Sequence, residues 1–546
     1  MPTHSSRSLS AAQAIVSSLI DHGVDCIFGV PGVHTYHLFD ALHERRAEIR
    51  FVGTRTEQGG AYMAYGYAKS TGRVGVYTCV PGPGVLNTTA ALCTAYAANA
   101  PVLCITSEIP AADIGRGYGI LHELPDQLAT LRSLTKWSER IDHPTQAPGI
   151  VAEAFRRMTT GRMGPVALEC PWDTLSVRAL TEFPAVSVLP APVAPDLTAV
   201  DAAARLIAGA RKPMIMVGGG AVGAAEEIAQ LASLVQAPVT AHRSGRGIVG
   251  EDTPYGLGLA AAYKAWADTD VLVAIGTRME LQYLRWRTFP PALKIVRIDI
   301  DPREMVRRKS DVGLVTDAKP GVRALNEALA SLKVNPVSRE AEFTRLKASA
   351  RAEYSSVQPQ VGYLDAIREV LPRDGFFVEE ICQVGFTARF AFPVYEPRTY
   401  VSCGYQDNLG FGLMTALGVK VGHPEKVVIS VSGDGGFMFG IQELATAVQS
   451  GIKIISIVFN NQSFGNVLRD QKTTFGGRYI GERLTNPDFV RLAESFGAAA
   501  YRAMDATDLK AVLTRALAED GPVLIEVPGA PGSEVSPWPF LHPWAK

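Results

Sequence analysis

Asp434 and Asn461 are the first residues of this chain whose types and spacing could do chemistry together. They stand in "VVISVSGDGGFMFGIQELATAVQSGIKIISIVFNNQSFG", which begins at Val427; the second asparagine follows the aspartate by 27 residues, 434 to 461. "KVVISVSG" reads as a strand, "GIQELATAVQSG" as a helix and "IKIISIVFNN" as a second strand. A right-handed crossover makes such strands parallel and puts GDGG and NN at the carboxyl edge of one sheet, where open α/β sheets bind ligands. Asp434 offers a carboxylate oxygen and Asn461 an amide oxygen, donors that suit Mg²⁺ when phosphate and water complete the shell. Gly435 and Gly436 would let backbone N–H groups approach a phosphate. A lone GDG would be read as a turn and NN as a strand-end cap. The pair on a strand–helix–strand frame is read instead as a metal clamp for a diphosphate.

Such a clamp needs a frame, and the chain supplies short apolar strands throughout. "VGVYTCV", "PVLCITS", "KPMIMVGGG", "DVLVAIGT" and "KIVRIDID" alternate with helical stretches. Nearly continuous apolar runs suit strands covered on both faces. The fold class expected is therefore α/β, with three doubly wound Rossmann-like domains and mainly parallel sheets. Proline-rich "FPAVSVLPAPVAPD" from Phe183 reads as a linker, and "KVNPVSRE" from Lys333 opens a charged connector reaching about Gln360. The expected domains are 1–185, 195–332 and 360–546, the first and third echoing each other.

Composition narrows the function. The 546 residues are 47% hydrophobic and 20% charged, ordinary for a globular enzyme, and the formal net charge of −1 gives no reason to expect nucleic acid or an acidic membrane as partner. The seven cysteines form no CxxC pair and read as buried thiols in a reducing compartment. "LSAAQAIVSSLIDHG" reads as an amphipathic helix closed by Gly23, without the order of a signal peptide, and no apolar run reaches the roughly 18 residues of a membrane span. A cytoplasmic location is expected.

GDG with NN at this separation resembles the signature of thiamine diphosphate (ThDP) enzymes. From about Val24 onward the chain resembles the acetolactate synthase-like branch, with benzaldehyde lyase and related decarboxylases and carboligases. The resemblance implies Mg²⁺ held by Asp434, the Asn461 side chain and the Ser463 carbonyl. It places Gly433, Gly435, Gly436, Phe464, Gly465 and Val467 at the cofactor. In "RTEQGGAYMAYGYA", similar to the family's E-x-x-A-x-x-M-A-x-G-Y-A, it makes Glu57 the partner of the aminopyrimidine N1′. Read by itself, Glu57 is a first-turn acid favoured by the helix dipole. Many relatives have His just before this glutamate, where this chain has Thr56. In "GYQDNLGFG" Leu409 would prop the cofactor into a bent shape and the Asp407 carbonyl would accept from its 4′-amino group. Relatives usually carry a small residue at Asp407. Pro81, Gly82 and Asn87, in and after "CVPGPGVLN", are the remaining cofactor contacts implied.

His34, matching a histidine of benzaldehyde lyase, is expected to face the reacting carbonyl, with His37 one helical turn on and on the same face. His122 and Gln127 in "GILHELPDQL" are further candidates. Related lyases have a glutamine near His122, and a one-residue slip would favour Glu123. Asn466 follows the NNQSFG turn. These groups could stabilise oxyanions or shuttle protons. The aromatic tail "EVSPWPFLHPWAK" could cover the entrance or serve as a packing arm.

The resemblance implies a ThDP- and Mg²⁺-dependent decarboxylase, carboligase or lyase of a 2-oxo acid or 2-hydroxyketone, a small-molecule carbonyl substrate. Hydrolysis of a 1,2-diketone, as in cyclohexane-1,2-dione hydrolase, and a non-catalytic ThDP-fold subunit are the alternatives. In this family the pyrimidine is held by the first domain of one subunit and the diphosphate by the third domain of another. A homo-oligomer is implied, dimer at minimum and tetramer favoured. The middle segment's Gly-rich turn is weak evidence for a nucleotide; FAD is an option there but is not expected.

Overall fold

The computed structural model describes residues 7–184 and 192–543. Residues 185–191 of the expected linker and 544–546 of the tail lie outside the described residues. The chain forms two compact units. The first joins the N-terminal part to Cys403–Pro424 and Gly440–Ile454; the second holds the middle segment, Glu425–Phe439 and the chain from Ile455. Three parallel sheets make it an α/β protein.

In the first unit a six-stranded parallel sheet runs Arg50–Gly53, Cys26–Gly29, Gly75–Cys79, Val102–Glu108, Val166–Pro171, Trp137–Arg140. By order along the chain this is 2-1-3-4-6-5. A short antiparallel pair, Arg7–Ser10 with Arg178–Thr181, lies outside it. The first helix, Ala11–Asp21, opens with a capping box between Ser10 and Gln13, and Gly23 follows it at φ +78°.

The helix Glu57–Thr71 is buried on nearly every side, as a chain segment of small residues permits. It crosses Phe411–Gly422, of the same unit, through glycines. A Cβ on Gly66 would stand 2.1 Å from the Thr415 carbonyl oxygen, and one on Gly418 would stand 1.9 Å from that of Met63. Backbones therefore touch at this crossing, and Tyr62 and Tyr65 flank it with edge-on contacts to Phe411.

The second unit contains two parallel sheets. Five strands run Val239–Ala241, Pro213–Val217, Val271–Ile275, Lys294–Asp299, Val312–Val315. Six run Tyr400–Val401, Phe376–Glu379, Val428–Gly433, Ile455–Asn460, Val523–Pro528, Ala499–Arg502. This last order is again 2-1-3-4-6-5, so the expected echo is an identity of strand order. Both six-stranded sheets reverse direction of growth between their first and third strands, the position where doubly wound sheets bind ligands. The tail is a packing arm in this unit. Val535 N donates to the Gln358 carbonyl at 3.1 Å, Phe540 stacks on Phe390, and Leu541 is buried.

Candidate active site

In the first unit the switch point lies between Cys26–Gly29 and Gly75–Cys79, and the loops that leave these strands carry His34 and Gly82. His34 sits in the turn Val33–Thr35 and is 5% exposed. Its ring stacks on His122 at 4.8 Å and meets the edge of Trp172. The Nδ1 atoms of His34 and His122 are both buried without a hydrogen-bond partner. Burial, and secondarily the neighbouring His122, hold the His34 imidazole below its ordinary pKa, so it stays neutral at neutral pH. Two such orphaned nitrogens are what a polar ligand would be expected to satisfy.

The expected pairing of His34 with His37 is not formed. His37 is exposed on the following helix, Tyr36–Glu44, because a 3₁₀ turn hands over to an α-helix between them and breaks the 3.6-residue period. Gln127 is also placed differently from expectation. It is 1% exposed and its amide is fully engaged. Oε1 accepts from Gly82 N at 2.9 Å, while Nε2 donates to the Ser107 carbonyl and to Glu169. Its work is to hold the Gly82 loop. Gly82 itself has φ +60°, and a Cβ there would lie 2.3 Å from the His122 carbonyl oxygen. Pro81 beside it is buried. Glu123 accepts from Gly117, Gly119 and Ile120 N–H groups and so closes its own loop.

Glu57 is the first residue of its helix, with Thr56 as N-cap accepting from Gly59 N. Its Oε2 accepts from Asn87 Nδ2 at 3.1 Å, which joins two residues expected at one cofactor. The sequence reading missed the group that fixes this corner. Glu443, fully buried, accepts from the backbone of Arg55 and Thr56 at 3.1 and 2.9 Å and from the hydroxyls of Thr56 and Thr446. A Cβ on Gly59 would fall 2.3 Å from its carboxylate. Burial raises the Glu443 pKa while these hydrogen bonds oppose the rise. Asp407, at φ +45°, accepts from the Cys403 thiol, and the left-handed backbone explains why a small residue suits the position. Asn408 beside it donates to Tyr62 and accepts from Thr94, fixing the turn that presents half-buried Leu409.

In the second unit the register Gly433↔Phe459 sets Asp434 beside the asparagine pair, as the spacing predicts. The helix read from Gly440 starts only at Glu443 and ends at Gln449, and GDGG itself forms a one-turn helix, Asp434–Phe437. Gly440 opens the segment, and Gly440–Gln442 form a turn before the helix begins. Asp434 is 2% exposed and accepts from Asn486 Nδ2 at 2.7 Å. Burial pushes its carboxyl above the usual range, while Asn486 and the Gly435 and Gln462 amides pull it down. Asn486 also donates to Asn460, a link across the sheet edge that no local pattern announces.

Asn461 Oδ1 accepts from Ser463 N and Oγ, and its Nδ2 donates to Glu534. Gly435 is used differently from expectation: a Cβ there would lie 2.4 Å from the Phe464 ring, so its small size seats that ring. Gly436 is buried in the same turn, and Gly433 ends the strand. Gly465 opens the helix Gly465–Thr474, on which Val467 is exposed and Asn466 accepts from the Trp538 indole at 3.1 Å. A cleft of about 720 Å³ opens here, lined by Gln383, Ser463, Gly465, Arg469 and Glu534, a size suited to a cofactor or substrate.

Among the described residues no three His, Cys, Asp or Glu side chains gather as a metal cluster. A cation at this edge would take one carboxylate, an amide oxygen and backbone, phosphate or water oxygens. That all-oxygen set fits Mg²⁺.

Family models describing thiamine pyrophosphate enzymes match the chain in three places: the N-terminal TPP binding domain over 9–130, the central domain over 200–325 and the C-terminal TPP binding domain over 380–527. The chain is 34% identical to a Pseudomonas aeruginosa protein named probable 2-ketoarginine decarboxylase AruI, covering 96% of this chain and 95% of that one. It is 32% identical to a probable acetolactate synthase large subunit of Methanocaldococcus jannaschii, covering 95% and 92%. With acetolactate synthase isozyme 2 large subunit of Escherichia coli it shares 31% identity, over 98% of each.

Proposed function

We propose, from the premise that this chain belongs to the thiamine pyrophosphate enzymes, that it is a ThDP- and Mg²⁺-dependent enzyme of the acetolactate synthase-like group. Its reaction decarboxylates a 2-oxo acid, or makes or breaks a carbon–carbon bond beside the carbonyl of such an acid or of a 2-hydroxyketone. The observation that carries this reading is the Glu57 carboxylate, set at the head of a buried helix and in contact with Asn87. The name of the Pseudomonas relative supports decarboxylation of a 2-oxo acid.

Bound ThDP supplies an electron sink next to the substrate carbonyl. Glu57 would hydrogen-bond N1′ of its pyrimidine and exchange a proton there. Asp434, the Asn461 oxygen and the Ser463 carbonyl would hold the Mg²⁺. Leu409 and the Asp407 carbonyl would pack against and hydrogen-bond the cofactor between its two rings. His34 and His122, with their orphaned Nδ1 atoms, bind or protonate the substrate oxygen. The diketone-hydrolase reading drew on a His34/His37 pair and loses that support with His37 exposed. A non-catalytic subunit would have no use for Glu57, Asp434 and Asn461 together.

The protein is further proposed to work in the cytoplasm, its seven cysteines being free thiols, and without flavin. Gly218 of the central Gly-rich turn is already used for packing: a Cβ there would stand 2.3 Å from the Gly276 carbonyl oxygen. Flavin released stoichiometrically on denaturation would contradict this. The main test is calorimetry. ThDP is expected to bind only with a divalent cation, and Asp434→Ala to abolish binding; undiminished affinity in that variant removes the clamp. Screening 2-oxo acids, 2-hydroxyketones, acyl-CoAs and diketones for turnover then names the substrate.

A further inference from the structure

The geometry points to Glu534 as the residue that sets the metal clamp before the cofactor arrives, a role that rests on reading Asp434 and Asn461 as Mg²⁺ ligands. A primary amide has two orientations of nearly the same shape, and only one offers its oxygen to a cation. Both ends of the Asn461 amide are specified. Oδ1 accepts from Ser463 N at 3.1 Å and from Ser463 Oγ at 3.0 Å, the second a rotatable hydroxyl that would turn away and yield that lone pair to a cation, and Nδ2 donates to Glu534 Oε1 at 2.8 Å. Turning the amide over would set its NH₂ against an N–H and its oxygen against a carboxylate.

The two constraints differ in origin. Ser463 is two residues away and moves with the same loop. Glu534 comes from the far end of the chain and is anchored separately. Upstream, Gly529 N donates to the Asn460 carbonyl at 2.9 Å, which ties the end of Val523–Pro528 to the neighbouring strand. Ser533 then closes a turn onto the Ala530 carbonyl, with Gly532 at φ +71°. Downstream, Val535 is bonded twice to the end of the connector: its N–H reaches the Gln358 carbonyl and its carbonyl accepts from buried Gln360 Nε2 at 2.6 Å. Glu534 is thus held from before and after and aimed at one amide. Outer partners of this kind orient metal ligands, and losing one commonly costs about 10- to 100-fold in metal affinity.

The experiment titrates Mg²⁺ into the full-length apoprotein at fixed ThDP and follows retained ThDP by equilibrium dialysis. Glu534→Ala is expected to weaken apparent Mg²⁺ affinity by about 10- to 100-fold. Glu534→Ser, whose side chain is too short to reach Asn461, should repeat the loss. Glu534→Gln keeps an acceptor oxygen and should stay within roughly fivefold of wild type, the difference between a charge-assisted and a neutral hydrogen bond. Unchanged melting temperatures of the three apoproteins accompany the expected result, since the tail's other anchors remain. Equal Mg²⁺ affinity in wild type and Glu534→Ser overturns the proposal, as does a Gln variant as weak as the Ser variant. Wild-type protein that retains ThDP equally well in chelator overturns the metal reading beneath it instead.

Discussion

Glu57 and Glu443 divide one task between them. Glu57 meets Asn87 at the head of its helix, and Glu443 holds the two residues that precede it. Replacing Glu57 by Gln keeps the shape and removes the proton acceptor. ThDP should remain bound, while exchange of its C2 proton, followed by NMR in D₂O, slows by roughly 10²–10⁴-fold, the usual worth of a positioned acid–base group. An unchanged rate would take Glu57 out of the mechanism. Glu443→Ala leaves Glu57 in place but removes the acceptor of the part-buried Arg55 and Thr56 N–H groups, at about 0.5–1.5 kcal/mol each. A lower melting temperature and faster amide exchange at Arg55 and Thr56 are expected, and wild-type values for both would deny Glu443 its positioning role. Asp434 and Glu57 stand out as candidates in the sequence because their motifs are local. Glu443 lies within the quoted GDGG stretch, yet nothing in that stretch names its partners near residue 55. Asn486 and Glu534 are more distant still, since each meets its partner only after the sheet has formed.

Strands were the most legible elements. Apolar runs such as "VLVAI" and "VISVSG" admit little besides a buried strand, and each forms one. Helix starts were less legible, because the run from Gly440 has helical composition whereas its actual beginning depends on tertiary bonds to Glu443. The small antiparallel pair Arg7–Ser10 with Arg178–Thr181 gave no signal, being short and far apart in sequence. The middle sheet carries its own prediction. His242, just after Val239–Ala241, has a side chain 5% exposed, with Glu280 at 3.3 Å and Arg243 and Arg285 nearby. Burial above all, helped by the two arginines and opposed by Glu280, lowers its pKa from 6.5 to about 4. Between those values the unfolded chain takes up a proton that the folded one refuses, so stability falls as pH drops. About 2 kcal/mol should be lost to this group between pH 7 and pH 5. Denaturant midpoints at the two pH values measure it, and His242→Asn should remove that part of the difference. An equal difference in the variant would assign it elsewhere.

The whole molecule repeats one strand order, 2-1-3-4-6-5, in its first and last sheets, with the Glu57 corner on one and Asp434 on the other. The proposed function requires both groups at one cofactor; the family resemblance takes them from two subunits, and we propose the same here, in a closed dimer or a dimer of dimers. Mixing inactive Glu57→Gln and Asp434→Ala chains under conditions of subunit exchange should restore part of the activity, one intact site arising in each mixed dimer. Mixed dimers confirmed by sedimentation but without activity would argue against shared sites, and a fully active monomer would exclude them.

The crossing of Glu57–Thr71 with Phe411–Gly422 leaves no space for a single methyl group at Gly66 or Gly418. In a saturation-mutagenesis library, null alleles should therefore pile up at these two codons as densely as at the acidic ones. A geneticist mapping them without coordinates would take the seam for a second catalytic centre, when all that selection protects there is the absence of a side chain.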